Sequence, residues 1–391
     1  LGAVPYQAKV LYDFVPESEI MPIAQAIARV FARLGEKRNR NRARLKFLVA
    51  QLGIEEFRRL VDEELEQLPY DPRWTAYLDD IPTYAETPLK SAIMLNGHAS
   101  AEGFEEWFAT NVYRQRQQGY ATVTVNLPLG DLTSEQAWQL ADIARKYVGE
   151  HMRTTVEQNI VLRWVSEADL PALHQELHSI GLGEAGAGTI VDITSCPGTD
   201  TCKLGIASSR GLAGELRTRL AAKSATLPDA ISELRIKISG CFNSCGQHHV
   251  ADIGFFGNSR RRNNRTVPHF QVVLGGKWRE NAGAYGLAVG AVPSRSVPEL
   301  LDVITSRYVS ERERTESFQD WVTRLGKKEV RTMLEPFTDV PIYEVAPKFY
   351  SDWVTRVSSA LATSASANAP AKSFRSFPWR SRGPKPRRLM P

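Results

Sequence analysis

The spacing of apolar residues predicts that the chain begins with helices and continues as alternating strands and helices. Residues 17–33 repeat apolar side chains at helical intervals up to Gly35, and a second helix is predicted from about Asn41. A third helix is predicted over 54–65. From 68 to 90 four prolines interrupt any period, which indicates a linker or an ordered crossing segment.

The middle of the chain has the most regular pattern. Residues 120–127 alternate and are rich in β-branched side chains, which predicts a strand. Thr133 and Gln136 have the spacing of a capping box and predict the start of a helix. A second strand over 158–165 and a second helix over 169–180 follow. This order predicts half of a ferredoxin-like α/β sandwich.

Beyond residue 183 the pattern again mixes strands with helices. The same criteria predict strands over 188–194, 234–238, 250–256 and 270–274 and helices over 204–222 and 297–326. The strands surround two cysteine pairs, so rigid backbone is expected to hold the thiols in fixed geometry.

Composition adds that this is an ordinary globular protein, with 42% hydrophobic and 24% charged residues among 391. No stretch approaches the roughly 18 apolar residues of a membrane helix, so no membrane span is expected. The chain starts at Leu1 without the pattern of a signal peptide. We therefore expect a cytoplasmic protein, and a chain that is a fragment or a processed product.

The net charge of +5 comes from the end of the chain. Eight Lys and Arg and no acid follow Asp352, while the preceding residues hold 41 cations against 44 acids and are mildly acidic. The tail beyond about residue 353 is predicted to be disordered or to be a frameshifted translation.

The four cysteines fall into two tight pairs, Cys196 with Cys202 and Cys241 with Cys245. The spacings are C-x5-C and C-x3-C, with 38 residues between the pairs. Zinc sites usually have two to four residues within each pair, so the first spacing argues against structural zinc. An iron-sulfur cluster accommodates wider loops, and glycines beside the cysteines would let backbone amides approach its sulfide. The alternatives are zinc, buried free cysteines, or two disulfides.

The residues around the cysteines carry a family resemblance. Segments 194–206 and 238–257 resemble the sirohaem and [4Fe-4S] signature of the nitrite and sulfite reductase family. The family usually has Pro where Phe242 stands, which is not a ligand position. Further resemblance lies at 33–48, at 153–162 and around Trp321, so that it extends from Leu1 to about Trp353. The chain resembles the C-terminal half of such an enzyme.

The resemblance implies an α+β fold, a ferredoxin-like α/β half-repeat followed by a sirohaem/[4Fe-4S]-binding α/β domain. All four cysteines would ligate the [4Fe-4S] cluster, and Cys245 would also bridge to the sirohaem iron. Residues 1–67 are expected to be the end of a first sirohaem-binding repeat, and 68–105 a linker or crossing segment. The ferredoxin-like half is expected at 106–183, the cofactor-binding domain at 184–335 and a C-terminal extension at 336–391.

Sirohaem carboxylates and an anionic substrate require an excess of cations. The basic run before the second helix supplies candidates. Arg38 and Lys46 are predicted to contact substrate, and Arg42 and Arg44 to bind sirohaem. The alternative for this run is a solvated basic face or a nucleic-acid-binding arm.

Two further groups are candidates. Arg153, Gln158 and Asn159 lie on a strand that would line the haem cavity, although alternating polar residues are usually the solvated face of a strand. His248 and His249 follow Cys245 and could relay protons. A packing role is favoured for them, because neighbouring side chains on a strand point to opposite faces.

The function implied by the resemblance is the six-electron reduction of nitrite to ammonia at a coupled sirohaem and [4Fe-4S] centre. Residues 243–247 resemble the nitrite-reducing branch and the mixed nitrite/sulfite group. The alternatives are reduction of sulfite to sulfide at the same centre, and a zinc-stabilised binding module without redox activity. Reduced ferredoxin is the expected electron donor, since the chain has no flavin or nicotinamide motif, and no nucleic-acid partner is expected.

Overall fold

The three-dimensional structure is a computed structural model that describes residues 5–97, 102–278 and 283–353. The helices in these ranges are α1 (Ile20–Leu34), α2 (Leu45–Leu52), α3 (Ile54–Gln67), α4 (Phe104–Asn111), α5 (Ser134–Tyr147), α6 (Leu170–Ser179), α7 (Ser209–Ala221), α8 (Asp229–Ser232), α9 (Val297–Glu311) and α10 (Phe318–Leu334). The strands are β1 (Val112–Arg114), β2 (Tyr120–Val125), β3 (Arg153–Thr154), β4 (Ile160–Ser166), β5 (Thr194–Ser195), β6 (Ile236–Ser239), β7 (Ile253–Arg262), β8 (Arg265–Leu274) and β9 (Leu287–Pro293). None of these helices combines the length and apolar character needed to cross a membrane.

Helices α1, α2 and α3 pack around a small apolar core that includes Ala26, Val30, Leu48 and Phe57. The segment before α1 joins this three-helix unit to the rest of the molecule. Gln7 Nε2 donates to the carbonyl of Gly283 at 2.6 Å, and the Tyr285 hydroxyl donates to the carbonyl of Tyr6 at 3.0 Å. The prediction of three helices is confirmed, but α2 begins at Leu45 rather than near Asn41.

The first sheet is antiparallel throughout, with the strand order β1-β2-β4-β3. Alternate residues of β2 point into a core shared with α5 and α6. The capping box at the start of α5 is present, with Thr133 and Gln136 each accepting from the backbone of the other. The predicted ferredoxin-like half is therefore confirmed, with β1 and β3 as additional short strands.

The second sheet has the order β5-β6-β7-β8-β9, in which β5, β6 and β7 are parallel and the remaining neighbours are antiparallel. Helices α7, α9 and α10 cover one face of it with a large apolar core. Ile236 and Ile238 of β6 belong to this core, whereas Lys237 and Ser239 alternate to the other face.

Two predictions about this domain are wrong. The strand predicted over 188–194 is reduced to Thr194–Ser195, because a turn precedes it in which Gly188 has a φ of +65° and donates its N–H to the Asp192 carboxylate at 2.9 Å. The helix predicted over 297–326 is two helices, because a loop follows Glu311 and Ser317 then caps α10.

Strands β7 and β8 extend well beyond their neighbours. They pair continuously from Ile253 opposite Leu274 to Arg262 opposite Arg265. The pairing of β6 with β7 stops at Phe256, and β9 pairs with β8 only as far as His269. Residues 257–268 therefore form a two-stranded ribbon, which we call the arm. Asn263 and Asn264 turn the chain at its tip with positive φ values of 48° and 61°.

Residues 68–97, which follow α3, have the contacts of an ordered crossing segment. Three short 3-10 turns run along it, at Pro72–Trp74, Ala76–Leu78 and Ile81–Tyr84. Lys90 then forms an ion pair with Asp169 at 2.8 Å, which fixes this segment to the ferredoxin-like half.

The described chain ends in a segment that packs against the start of α7. The Asp352 carboxylate accepts from the backbone N–H of Ser208 at 2.6 Å. The Arg295 guanidinium lies 3.9 Å from the centre of the Trp353 ring, and the Trp353 indole donates to the carbonyl of Ser294 at 3.2 Å. The predicted disordered or frameshifted tail, 354–391, lies outside the described residues.

Candidate metal centre

Two cysteine-bearing loops meet at one edge of the second sheet. Cys196 directly follows β5, and Cys241 comes two residues after the end of β6. These strands are parallel neighbours, with Ser195 opposite Ile238. Because the carboxyl ends of parallel strands lie at the same edge, the first loop (196–207) and the second loop (240–250) lie side by side.

Backbone hydrogen bonds connect the two loops. The N–H of Cys196 donates to the carbonyl of Ile238 at 3.1 Å, and the N–H of Ile206 donates to the carbonyl of Gly240 at 2.8 Å. The N–H of Gly240 donates to the Cys196 sulfur at 3.0 Å. A backbone N–H directed at a thiolate stabilises its negative charge, which favours a metal-ligating sulfur at this position.

Glycines make this close approach possible. A Cβ on Gly240 would lie 2.5 Å from the Cα of Gly198, and a Cβ on Gly257 would lie 2.2 Å from the carbonyl oxygen of Gly240. A Cβ on Gly246 would lie 2.2 Å from the carbonyl oxygen of Ile238. The sequence predicted that glycines would admit backbone to inorganic sulfide. In the structure Gly240 lets the two loops pack against each other, while Gly246 and Gly257 admit the backbone of β6 and of the second loop. The approach of backbone amides to inorganic sulfide stays a prediction.

The four thiols lie on the two neighbouring loops. All four are free, with Cys196 and Cys241 buried and Cys202 and Cys245 exposed, so the disulfide alternative is wrong. Burial raises the pKa of Cys245, and the charges of Cys196, Cys241 and Cys202 raise it further. In the described ranges no three His, Cys, Asp or Glu side chains are close enough to hold a single metal ion. The zinc alternative therefore has no support in the geometry, whereas four sulfur donors around one edge suit a larger cluster.

The first loop is held by distant parts of the chain. Gln158 donates from its amide to the carbonyl of Ser195 at 2.9 Å and accepts from the Ser195 N–H at 3.0 Å. Arg210 pairs with Asp131 of the ferredoxin-like half and approaches Asp200 in the loop at 3.8 Å. Asp352 reaches the end of the loop through Ser208, as described above. Contacts from the ferredoxin-like half, from α7 and from the end of the described chain therefore hold the first loop and the residues beside it.

Nearby residues hold most of the second loop, and at its end the N–H of Gly286 donates to the carbonyl of His249 at 2.7 Å. The Ser239 hydroxyl accepts from the N–H of Gly246 at 3.0 Å and lies 2.8 Å from His248 Nδ1. Lys237 Nζ donates to the side-chain oxygen of Gln247 at 3.0 Å. Ser244 adopts a positive φ of 61°, so a strained backbone conformation lies directly before Cys245.

A cavity of about 850 Å³ opens beside the second loop. Its wall includes Ser244, Gln247 and Lys237 of this domain, Glu157 of the ferredoxin-like half, and the segment before α1. Lys237 is buried, and burial lowers its pKa. Lys237 was not predicted as a site residue. A lysine in the apolar strand Ile236–Ser239 nevertheless indicates a special role, since a buried lysine needs a partner or a function.

The histidine pair lies in a turn before β7 rather than on a strand, so the argument that the two rings point to opposite faces is wrong. The rings of His248 and His249 are 4.1 Å apart, and His249 stacks on Tyr285 at 5.3 Å. Burial and the neighbouring His249 lower the pKa of His248 to about 3, so it is neutral at physiological pH. The Nε2 atoms of both have no hydrogen-bond partner among the described residues.

The predicted cations of the basic run lie on the three-helix unit, between α1 and the start of α2. Arg38, Arg42 and Arg44 are exposed. Lys46 lies over the rings of Tyr6 at 5.3 Å and Phe47 at 5.1 Å. Since the residues after Tyr6 line the cavity, Lys46 lies beside the cavity wall. The substrate and sirohaem roles of these four residues stay predictions.

The predicted haem-lining residues of the ferredoxin-like half have partners within the protein. Arg153 pairs with Glu86 at 2.7 Å, and Gln158 holds Ser195. The buried Asn159 donates to the Asp192 carboxylate at 2.8 Å and accepts from the N–H of Leu127 at 2.9 Å. In these contacts the two amides fasten the ferredoxin-like half to the cysteine-bearing domain, and their predicted cofactor-binding role stays a prediction.

The fold and the four thiols define an iron-sulfur protein, and comparison with known families specifies which one. Residues 1–68 and 186–339 match the nitrite and sulphite reductase 4Fe-4S domain, and residues 113–180 match the nitrite/sulfite reductase ferredoxin-like half domain. The chain belongs to the nitrite and sulfite reductase family. The expected cofactors, a [4Fe-4S] cluster and sirohaem, are confirmed as those of this family. The domain boundaries at 67, 105, 183 and 335 stay predictions.

Relatives of both substrate types are equally similar to the chain. It is 30% identical to a ferredoxin–nitrite reductase of Synechococcus elongatus, over 76% of this chain and 52% of that protein. It is also 30% identical to sulfite reductase (ferredoxin) 1 of Mycolicibacterium paratuberculosis, over 85% of this chain and 56% of that protein. The structure of the Mycobacterium tuberculosis NirA protein superposes with a TM-score of 0.64 at 26% identity, covering 84% of this chain and 56% of that one. The chain thus spans about half the length of the relatives it matches.

Proposed function

We propose that this chain carries the cluster-binding part of an enzyme that reduces nitrite to ammonia with six electrons. The observation that carries the proposal is the meeting of the two cysteine loops at one sheet edge, where the Gly240 N–H bonds the Cys196 sulfur. In balanced form, nitrite, six electrons and eight protons give ammonium and two waters. Ferredoxin, a one-electron donor, is the proposed source of the electrons.

The residues have distinct proposed roles. Cys196, Cys202 and Cys241 would ligate the [4Fe-4S] cluster, and Cys245 would ligate both the cluster and the sirohaem iron. When bound, these two groups would supply electrons one at a time to the anionic substrate. Lys237, in the cavity wall beside the second loop, contributes positive charge toward the anionic sirohaem or substrate. The backbone of the two loops holds the sulfur ligands in fixed geometry.

Two features support nitrite as the substrate. Residues 243–247 resemble the nitrite-reducing branch of the family, and a relative named as a nitrite reductase is 30% identical. Sulfite is the alternative, supported by the equally similar relative named as a sulfite reductase. Both anions suit the same cationic, sulfur-ligated centre, so the choice needs a direct measurement.

The test is a steady-state assay of the full-length protein with reduced ferredoxin and each anion in turn. We expect ammonia formation from nitrite to exceed sulfide formation from sulfite in kcat/KM. A higher value for sulfite would overturn the substrate assignment while leaving the centre in place. Anaerobically purified protein that lacks both haem absorption and a reducible cluster signal would overturn the proposed centre itself.

A further inference from the structure

The arm, residues 257–268, is the most concentrated basic surface that the proposed chemistry leaves unused. It carries Arg260, Arg261, Arg262 and Arg265 and no acidic residue. All four are exposed. Arg265 lies 3.8 Å from the centre of the Tyr343 ring, and within the described part of the chain no ion pair is formed by the other three. This charge stands on a protein body that is otherwise mildly acidic.

The charges on the arm repel each other. Arg262 lies directly opposite Arg265 in the strand register, so the two side chains share a face of the ribbon, and Arg260 lies on the same face two residues earlier. Like charges directly opposite each other destabilise a strand pair. An anionic partner would relieve this repulsion.

The arm rises from the cysteine loops. At its base, a Cβ on Gly257 would lie 2.2 Å from the carbonyl oxygen of Gly240 and 2.9 Å from the N–H nitrogen of Ala207. The base therefore contacts both loops. From there the ribbon continues past the carboxyl edge for about 17 Å to Arg262, at a rise of about 3.4 Å per residue. A partner seated on the arm is thus held close to the two cysteine loops.

The same edge also exposes apolar side chains. Leu204 and Ile206 on the first loop are 57% and 37% exposed, and Phe242 on the second loop is 41% exposed. An apolar centre with a charged rim is the usual anatomy of a protein-protein interface. Nucleic acid would use the cations but not these apolar side chains, so the surface favours an acidic protein.

We infer that the arm is the docking site for the acidic electron-donor protein, with Arg260, Arg261 and Arg262 attracting the donor and Leu204, Ile206 and Phe242 contacting its apolar surface. The inference rests on the proposed function for the identity of the donor as ferredoxin. It gives the electrons a short route, since the base of the arm contacts both cysteine loops.

The test compares the full-length holoenzyme with the variant R260Q/R261Q/R262Q. A matched control is K327Q/K328Q/R331Q, which removes the same charge from exposed positions on α10. Ferredoxin affinity is measured by calorimetry at low and high salt. We expect the arm variant to bind ferredoxin about tenfold more weakly or worse at low salt, because opposite charges steer and hold the two proteins. The control variant should bind ferredoxin with nearly the wild-type affinity at low salt. At high salt the arm variant and the wild type should also differ little in affinity.

Activity assays then separate docking from catalysis. The arm variant should lose rate with limiting ferredoxin and keep the wild-type rate with the small donor methyl viologen. Equal ferredoxin affinity in the wild type and the arm variant would overturn the inference, as would an equal loss in the control. A matching loss with methyl viologen would place the arm in the cofactor site instead, and weakened oligonucleotide binding with unchanged ferredoxin binding would indicate a nucleic-acid arm. If the wild type reduces neither anion, the proposed function fails, but the binding comparison still decides the docking site.

Discussion

The two cysteine loops lie on neighbouring strands, yet they are held by different kinds of contact. The second loop is fixed by Ser239 and Lys237, which lie within ten residues of their partners. The first loop is fixed by Gln158 and by Asp352, at sequence separations of 37 and 144 residues. The supports beside Cys245 are therefore local, whereas those of the first loop extend to the ferredoxin-like half and to the end of the described chain. Each loop also has a contact of the other kind, since the Ser209 hydroxyl donates to the carbonyl of Cys196 at 2.7 Å and the Gly286 N–H donates to the carbonyl of His249 at 2.7 Å.

The strongest test of the centre itself is Cys245→Ser in the full-length protein. Since Cys245 is the proposed bridge, we expect anion reduction to fall to background and the electronic coupling between cluster and haem to disappear. Activity and anaerobic electron paramagnetic resonance measure these two effects. Full six-electron turnover in this variant would refute the bridging role.

The contact between the two loops can be broken at Gly240. The added methyl group of Gly240→Ala would lie 2.5 Å from the Cα of Gly198, which must force the loops apart. We expect a loss of about 3 kcal/mol in the free energy of unfolding, together with loss of the cluster absorption.

The control for this variant is Gly214→Ala on α7, where the nearest atom to the new methyl would be Leu129 Cδ1 at 3.6 Å. That change should be neutral or stabilise the helix by up to about 1 kcal/mol. Similar denaturation curves for the two variants would contradict the close packing of the loops.

The long-range support of the first loop is tested by Asp352→Ala. This change leaves the Ser208 N–H without its acceptor, and we expect a cost of about 2 kcal/mol in unfolding free energy. Cluster release to a chelator should also become faster, because the first loop loses an anchor. The exposed Asp339→Ala is the control and should alter neither quantity. Chelator release at the wild-type rate in Asp352→Ala would show that the end of the chain does not support the centre.

A smaller effect is expected from Gln158→Ala, which removes both bonds to Ser195. The expected cost is about 1.5 kcal/mol in unfolding free energy, with faster cluster release as for Asp352→Ala. Gln158→Glu sharpens the test, since its carboxylate keeps an acceptor for the Ser195 N–H but loses the donor to the Ser195 carbonyl. If sirohaem content falls while cluster release stays at the wild-type rate, Gln158 binds the haem as the sequence predicted.

The smallest effect concerns a contact remote from both loops. Burial alone would raise the pKa of Glu86, but hydrogen bonds from Arg163 and Arg153 hold it below the ordinary value of 4.5. A lowered carboxyl pKa stabilises the folded protein above 4.5, and this contribution is lost as pH falls through the folded-state pKa. Glu86→Gln should therefore cost about 1 kcal/mol at pH 7 and progressively less below pH 4.5 in denaturant titrations. A difference in unfolding free energy between the two proteins that does not change with pH would contradict this assignment. So would a changed cluster spectrum in the variant.

Local signals predicted the local parts of this structure. The capping box at Thr133 and the apolar stripes gave the ferredoxin-like half, and the cysteine spacing with its flanking residues gave the metal centre. The anchors of the first loop could not be predicted, because nothing in the sequence near Cys196 specifies that Gln158 and Asp352 fold back to it. Those contacts exist only after the domains pack.

Other features were missed because their signals were weak. The sequence of the arm resembles a polar loop, because its four arginines interrupt the alternation of apolar and polar residues that indicates a strand. Asn263 and Asn264 together are nevertheless a signal for a hairpin turn. Lys237 was overlooked because it interrupts an apolar strand by a single residue. The histidine pair was misplaced because it was treated as part of a strand, whereas His248 and His249 lie in a turn and the strand begins only at Ile253.

The hydrogen bond between Asp352 and Ser208 has a consequence for how the protein is made. A chain still emerging from the ribosome completes the second loop, with its nearby supports, long before residue 352 is synthesised. The first loop lacks its final anchor until about a hundred more residues have followed Cys245. Stable cluster insertion is therefore expected after translation of this region rather than during it. The cell's cluster-assembly machinery would then act on finished chains and not on partial ones.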